Sequence, residues 1–434
     1  MHKKKILIIG AGLTGLTLAR ELQNKKLNYL IFEKEEEVGG LCRSKKINNF
    51  IFDFDGHLLH FKNRRAFNLI KSLLKSNLIK HKRNAFVYFE GEYIPYPFQA
   101  NLYGLPLSAK NECLSGFINA KREERAGKNS DNFLNWINNT LGNGIAKHFM
   151  IPYNHKFWTV PLKDMTCEWL ENYIPVPSLT QIIAGAIKKN STEYGYNAVF
   201  WYPKTGGINC VPQALSRRIK HIKTNSPVTE INLIKKQIKT ASGNTEKFDY
   251  LISTMPLPEL SHLIKDIPPM IRMAFNKLKW NSIFNLNIGI DRKAGLENKH
   301  WVYFPQKDIS FFRVGFHHNF SSSVVPNGKM SLYAEAACPG HSLINKPELA
   351  NSIKKDLQKI GILYKNDRIC AQDANEIKYG YPVYDSNYSA SRKIILNFLK
   401  KNNIISCGRY GAWKYMSMED AIYEGLNVSK LFTK

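Results

Sequence analysis

The hydrophobic pattern opens with Ile6 to Ile9, a short unbroken apolar run rich in β-branched residues, as in a strand buried on both faces of a parallel sheet. Leu16, Leu18, Ala19 and Leu22 follow at helical spacing, and Asn28 to Phe32 reads as a second strand ending at Glu33. Phe67, Ile70, Leu73 and Leu74 predict a helix near 65–80. Cys113, Phe117, Ile118, Phe133, Trp136 and Ile137 predict helical structure over 108–150, with Gly142 and Gly144 as breakers. From about 270 to 385 the pattern changes. Phe284 to Ile290, Trp301 to Phe304, Phe311 to Phe316 and Leu332 to Ala337 read as strands between turn residues, which predicts an antiparallel sheet. Strand patterns at 227–231, 250–254 and 404–408, the last leading through Arg409 to a helix from about Glu419, return the chain to the unit it began with.

A chain of 434 residues has room for two or three domains, and 44% hydrophobic with 12% aromatic residues excludes a disordered or fibrous protein. Lys and Arg exceed Asp and Glu by 62 to 35, a net charge of +27. The lysines are spread along the whole chain instead of concentrating on one element, so no nucleic-acid partner is expected. The seven cysteines (42, 113, 167, 210, 338, 370 and 407) form no C-x-x-C pair, which argues against a disulfide framework or a metal site and for a reducing, cytoplasmic location. No run of about 18 apolar residues occurs, so no integral membrane segment is expected.

The basic start and the apolar run after it imitate a signal peptide, but the residues that follow have another use. The first strand leads into Gly10-Ala-Gly12-Leu-Thr-Gly15, a G-x-G-x-x-G turn entering a helix. Such glycines allow a tight turn and close approach of a pyrophosphate to free N–H groups at the helix start. Glu33, 23 residues after Gly10, is placed to accept hydrogen bonds from a ribose. Gly39-Gly40 and Arg43 continue the second strand in the manner of the flavoprotein fingerprint, which favours FAD over NAD. The expected fold class is α/β. A discontinuous Rossmann-like FAD-binding domain (1–65 with 205–258 and 402–434) carries a helical insert (100–195) and an antiparallel β-sheet substrate domain (84–99 with 259–401).

Further motifs occur in series: Asp55-Gly-His57, Tyr93-Ile-Pro-Tyr96-Pro-Phe-Gln99, Pro152-Tyr-Asn154-His-Lys-Phe-Trp158, Tyr202-Pro-Lys-Thr-Gly206-Gly207, Trp301-Val-Tyr303, Gly380-Tyr381-Pro382 and Gly408-Arg409-Tyr-Gly-Ala-Trp413-Lys-Tyr415. Together they resemble the UDP-galactopyranose mutase family, more its eukaryotic-type branch, within the FAD-dependent amine oxidase superfamily. The resemblance implies isomerisation of a nucleotide-diphosphate sugar between pyranose and furanose forms, by default UDP-galactopyranose. It implies a sugar adduct at N5 of the reduced flavin, no net redox change, and NAD(P)H as a candidate transient reductant.

The same resemblance assigns roles residue by residue. Gly56 and His57 match the loop beside the flavin, and Val228, Gly408, Arg409, Glu419 and Asp420 join the fingerprint residues in holding FAD. Tyr96, Phe98, Gln99, Phe149 and Asn154 match the uridine end, and Trp158 and Asn197 the sugar. Tyr303, Tyr381 and Tyr415 match the tyrosines around the diphosphate, with Arg313 as one of two clamping arginines and Arg409, Lys414, Lys156 or His317-His318 as candidates for the other. The family's second arginine falls on Tyr173, a family tyrosine on Phe320, and a family glycine on Asp55. Two alternatives stay open: an FAD-dependent oxidase or desaturase that takes hydride from its substrate, and a binding protein that keeps FAD as structural filler.

Overall fold

The computed structural model describes residues 4–124, 130–170, 173–188, 198–293, 295–296 and 298–432. Its N-terminal unit is β1 (Lys5–Ile9), α1 (Leu13–Asn24) and β2 (Asn28–Phe32). Four of the five residues of β1 are buried, because both faces of the strand are covered. A five-stranded, all-parallel sheet forms around it in the order Ile404–Ser406, Tyr250–Ser253, β1, β2, Ile222–Lys223. Of the late strand patterns, 250–254 and 404–408 therefore supply strands to the sheet that starts at residue 5, whereas 227–231 does not join it and Ile222–Lys223 forms its edge. β1 has an early strand on one side and a late strand on the other. In such open sheets the crevice for a ligand lies at the carboxyl end of the strand where the order reverses, here at Gly10.

Val228–Asn232 forms a separate antiparallel sheet with Gln237–Thr240 and Thr245–Lys247. The larger second sheet has seven strands, in the order Ile369–Pro382, Trp280–Ile290, Met330–Pro339, Arg313–Gly315, Trp301–Tyr303, Ala85–Phe89, Glu92–Pro95. It is mixed, not purely antiparallel as expected, because Trp301–Tyr303 pairs parallel to Ala85–Phe89. The chain crosses from one to the other through some two hundred residues, a distance at which alternation along a strand carries no information on direction.

Helices Leu107–Glu124, Phe133–Ile145, Ile151–Trp158 and Leu179–Ile187 make the helical insert. Gly142, with φ 77°, kinks the helix Phe133–Ile145 without ending it. A Cβ on Gly142 or Gly144 would meet the neighbouring helix backbone at 2.2 Å, so these glycines serve close helix packing rather than termination.

Candidate functional site

A cavity of about 1150 Å³ runs from the Gly10 turn, past the Asp55-Gly56-His57 loop, to the helix Ile151–Trp158 and the residues leading into the helix Met418–Val428. At the nucleotide end Gly10 takes φ +98°, a conformation that favours glycine. A Cβ on Gly15 would lie 2.1 Å from the Gly10 carbonyl oxygen, whereas one on Gly12 would meet no atom within 4 Å and would project into open space. Gly15 thus seats α1 against the turn and does not itself line the cavity; Gly12 keeps a cradle open. The N-cap of α1 has no side-chain hydrogen bond, and its first turn has no acid, so its N–H groups remain available to an anion.

Glu33 is buried in this wall and accepts the Ala11 N–H (2.7 Å) and the Glu35 N–H (3.0 Å), each carboxylate oxygen keeping a further lone pair. Gly39, Gly40, Arg43, Val228 and Gly408 line the same end, and the Arg43 Nε donates to the Gly40 carbonyl at 2.8 Å. An open glycine cradle, free helix-start donors and a buried acceptor are a donor set that fits the diphosphate and ribose of FAD.

The loop that enters the middle of the cavity is pinned from below. Buried Asp53 accepts from the Ser44 hydroxyl (2.6 Å), the Tyr202 hydroxyl (2.8 Å) and the Ile208 N–H (3.1 Å). Burial pushes its pKa up to about 6, and these donors work against the rise. Two residues on, Asp55 accepts the Gly56 N–H on its side chain and the His57 N–H on its carbonyl. A Cβ on Gly56 would come within 2.3 Å of the Tyr333 hydroxyl oxygen, so only glycine fits there. Burial lowers the pKa of His57, with Asp55 opposing, and its Nδ1 has no partner.

Beyond the nucleotide end, Arg313 and Arg409 face the cavity in opposite electrostatic settings. Arg313 lies directly across the sheet from fully buried Glu335, which takes both its Nε and its Nη2 (2.7 Å), while Asp55 stands 3.8 Å from Nη2. Arg409 donates Nη1 to the Met416 carbonyl (2.9 Å) and Nη2 to the Gly380 carbonyl (3.1 Å), and its Nε has no partner among the described residues. Its guanidinium lies 4.7 Å from the Tyr381 ring centre and 5.3 Å from that of Tyr415. Among the described residues, then, carboxylates offset the charge of Arg313, and neutral groups hold that of Arg409.

Tyr96, Tyr173, Tyr303, Tyr381 and Tyr415 gather around this end. Burial raises the pKa of Tyr96, Tyr173 and Tyr381, so these remain hydroxyl donors at neutral pH. Tyr173 packs edge-on against Tyr415 at 4.5 Å, filling with an aromatic ring the position where the resembled family carries an arginine. Gln99, Phe149, Asn154 and Trp158 also line the cavity. Gln99 donates to the Pro175 carbonyl (2.5 Å), and among the described residues its buried Oε1 and the Trp158 Nε1 have no partner.

Four residues expected at the site lie elsewhere. Phe98 is fully buried behind it, stacked on Phe149 at 5.2 Å. Phe320 packs in the core among Tyr202, His300 and Tyr333. Glu419 accepts the backbone N–H groups of Lys62 (2.8 Å) and Asn63, tying the C-terminal helix to the start of the helix Arg64–Leu74. Asp420 closes a capping box with Ser417, so the cavity meets this helix start through Met416, Ser417, Met418 and Ala421 instead. Asn197 lies outside the described residues.

Of the candidate replacements for a second clamping arginine, Lys414, Lys156 and the His317-His318 pair do not line the cavity. Two residues that the motifs alone did not single out do: Tyr153 and Phe157, which with Phe149 form an aromatic stripe at four-residue spacing on one helical face. That spacing was a legible signal.

Among the described residues no group of three His, Cys, Asp or Glu could hold a metal ion, and no helix is long and apolar enough to cross a membrane. In structure the chain is similar to a reduced UDP-galactopyranose mutase, with TM-score 0.93 and 27% identity over 99% of this chain and 94% of that one. A putative protoporphyrinogen oxidase from Exiguobacterium shares the fold, with TM-score 0.77, 16% identity and 99% of both chains covered.

In sequence, a UDP-galactopyranose mutase of Mycoplasma genitalium is 34% identical over 80 residues, 18% of this chain and 20% of that protein. A probable flavin-containing monoamine oxidase A of Dictyostelium discoideum is 23% identical over 61% of this chain and 60% of its own. Both alignments span less than two thirds of these curated relatives. The profile for flavin containing amine oxidoreductases matches residues 13–431, and the chain belongs to that family.

Proposed function

We propose that this chain is a flavin-dependent, mutase-like enzyme that isomerises a nucleotide-diphosphate sugar between pyranose and furanose forms, with UDP-galactopyranose as the default substrate. The observation that carries this reading is Arg409, a cation that, among the described residues, is held by carbonyls and tyrosine rings without a carboxylate, in a cavity that begins at a dinucleotide cradle. A buried cation without a carboxylate is set up for an anionic ligand, and a diphosphate leaving group needs such a charge both to bind and to depart. The similarity to a UDP-galactopyranose mutase over nearly the whole chain supports the same class.

FAD bound at the cradle and reduced, with NAD(P)H as the proposed reductant, supplies at N5 a nucleophile for an anomeric carbon. Gly10, Gly12, Gly39 and Gly40 would admit its diphosphate, and Glu33 its ribose. Arg409 and the hydroxyls of Tyr303, Tyr381 and Tyr415 would stabilise charge on the departing diphosphate. The unpaired Gln99 Oε1 is suited to accept the N–H of a uracil edge. Tyr153, Phe157 and Trp158 form an apolar wall that keeps water from an opened sugar. His57, neutral through burial, adds no charge to the centre of the cavity.

Equilibrium dialysis of UDP against the flavin-loaded protein tests the carrying observation. Arg409→Met should weaken UDP by a factor on the order of 10–100, the loss of a charge-assisted contact. Equal affinity of the variant and the parent chain would remove Arg409 from the binding site and this reading with it.

A further inference from the structure

Lys156 is the one residue of the 153–158 stretch, besides His155, whose side chain does not face the cavity. Its ammonium enters the connection between the strands Trp301–Tyr303 and Arg313–Gly315 and donates to three carbonyls there: Phe304 (2.8 Å), Gln306 (2.8 Å) and Phe311 (2.5 Å). An ammonium has three N–H donors, and all three are used. The connection it fills joins Tyr303 and Arg313, which stand directly opposite each other across the strand pair. Its own helix carries Tyr153, Asn154, Phe157 and Trp158 into the cavity.

The two walls also touch through their rings, Tyr153 edge-on to Tyr303 at 5.4 Å and Phe157 edge-on to Phe312 at 5.3 Å. Ring contacts of this kind tolerate sliding, whereas three hydrogen bonds from one atom fix a point.

We propose that Lys156 is a positioning residue: from outside the cavity it fixes the aromatic wall of the helix Ile151–Trp158 against the strands bearing Tyr303 and Arg313, and so sets the width of the substrate site. Burial draws its pKa down to about 7, with Asp356 and Asp308 acting to retain its charge. Asp356 also accepts the Ser310 N–H at 2.7 Å, bracing the same connection from the far side. A cation buried at this cost, and bonded to carbonyls alone, contributes geometry rather than pairing. That the positioned cavity takes a nucleotide sugar rests on the function proposed above; the clamp itself does not.

The test compares the flavin-loaded parent chain with Lys156→Met and Lys156→Arg by two independent measures: hydrogen exchange of the 304–312 amides and the dissociation constant of UDP. In Lys156→Met the amides should exchange at least tenfold faster and UDP should bind at least tenfold more weakly, with Lys156→Arg, which keeps the donors, recovering most of both. A Lys156→Met protein that only melts earlier, while its 304–312 exchange and UDP affinity match the parent, overturns the proposal. So does weakened UDP binding with unchanged exchange. If Lys156→Met does not fold, Lys156→Gln, which keeps two donors, is read by the same two measures. Failure of the parent chain to bind UDP refutes the proposed function, and the exchange rates alone then decide for or against the clamp.

Discussion

Replacing Arg313 by methionine leaves Glu335 as a carboxylate with no exposed surface and without the guanidinium that takes both of its oxygens. Asp55, already 3.8 Å from Arg313, loses its nearest cation at the same stroke. Breaking one side of a buried pair costs about 3–5 kcal/mol, because the remaining charge is stranded, whereas replacing both sides with apolar groups of similar size is often nearly neutral. Arg313→Met should therefore lose about 3–5 kcal/mol in urea unfolding followed by circular dichroism. The double variant Arg313→Met/Glu335→Met should lie within about 1.5 kcal/mol of the parent, because no charge is then left stranded. UDP binding extends the argument. The double variant removes no net charge from the cavity wall, so it should lose less UDP affinity than Arg409→Met. If the single variant is as stable as the parent, or the double variant is as unstable as the single, the charge compensation described for Arg313 is wrong.

Gly15 and Gly12 separate packing from binding. Gly15→Ala, whose Cβ would sit 2.1 Å from the Gly10 carbonyl, should destabilise the fold by about 1–3 kcal/mol and lose flavin, seen as a lowered melting temperature and a colourless preparation. Gly12→Ala, with no atom within 4 Å of its new methyl, should leave the melting temperature of the flavin-free chain unchanged and weaken flavin retention alone. Asp53 predicts a pH dependence. Its folded pKa, about 6, lies above the ordinary 3.8, so the fold prefers the protonated form, and the stability from that preference is present below pH 4 and lost as pH rises to about 6. At 1.36 kcal/mol per pH unit the loss is about 3 kcal/mol, so Asp53→Asn should gain roughly that much on the parent between pH 4 and pH 7 in parallel urea titrations.

What the sequence made legible was local. The run Ile6 to Ile9, the glycine turn and Glu33 fall within one short unit whose spacing is dictated by backbone geometry, and β1, α1 and β2 follow it closely. The strand Ile369–Pro382 is hidden in the sequence, because Asp373 and Asn375 put polar residues on the inward face of its alternation and Ala374 an apolar one on the outward face. The direction of Trp301–Tyr303 against Ala85–Phe89 was equally hidden, since pairing across that separation is set by the tertiary path. At the site, most of the residues assigned from the motifs line the cavity, but a motif does not tell which way a side chain points. Glu419 turns toward Lys62 and Asn63, and Phe320 into the core. Nor could it reveal charge state. Arg313 and Arg409 read alike in sequence, and only the cross-strand partner Glu335, 22 residues from Arg313, distinguishes them.

Anaerobic mixing of UDP-galactopyranose with the flavin-loaded protein, following both the flavin absorbance and the sugar products by anion-exchange chromatography, tests the central claim most directly. The reduced protein should yield furanose with the flavin still reduced at the end, and the oxidised protein neither furanose nor bleaching. Bleaching of the oxidised flavin by substrate, with an oxidised sugar as product, or no furanose from the reduced protein, would contradict that claim.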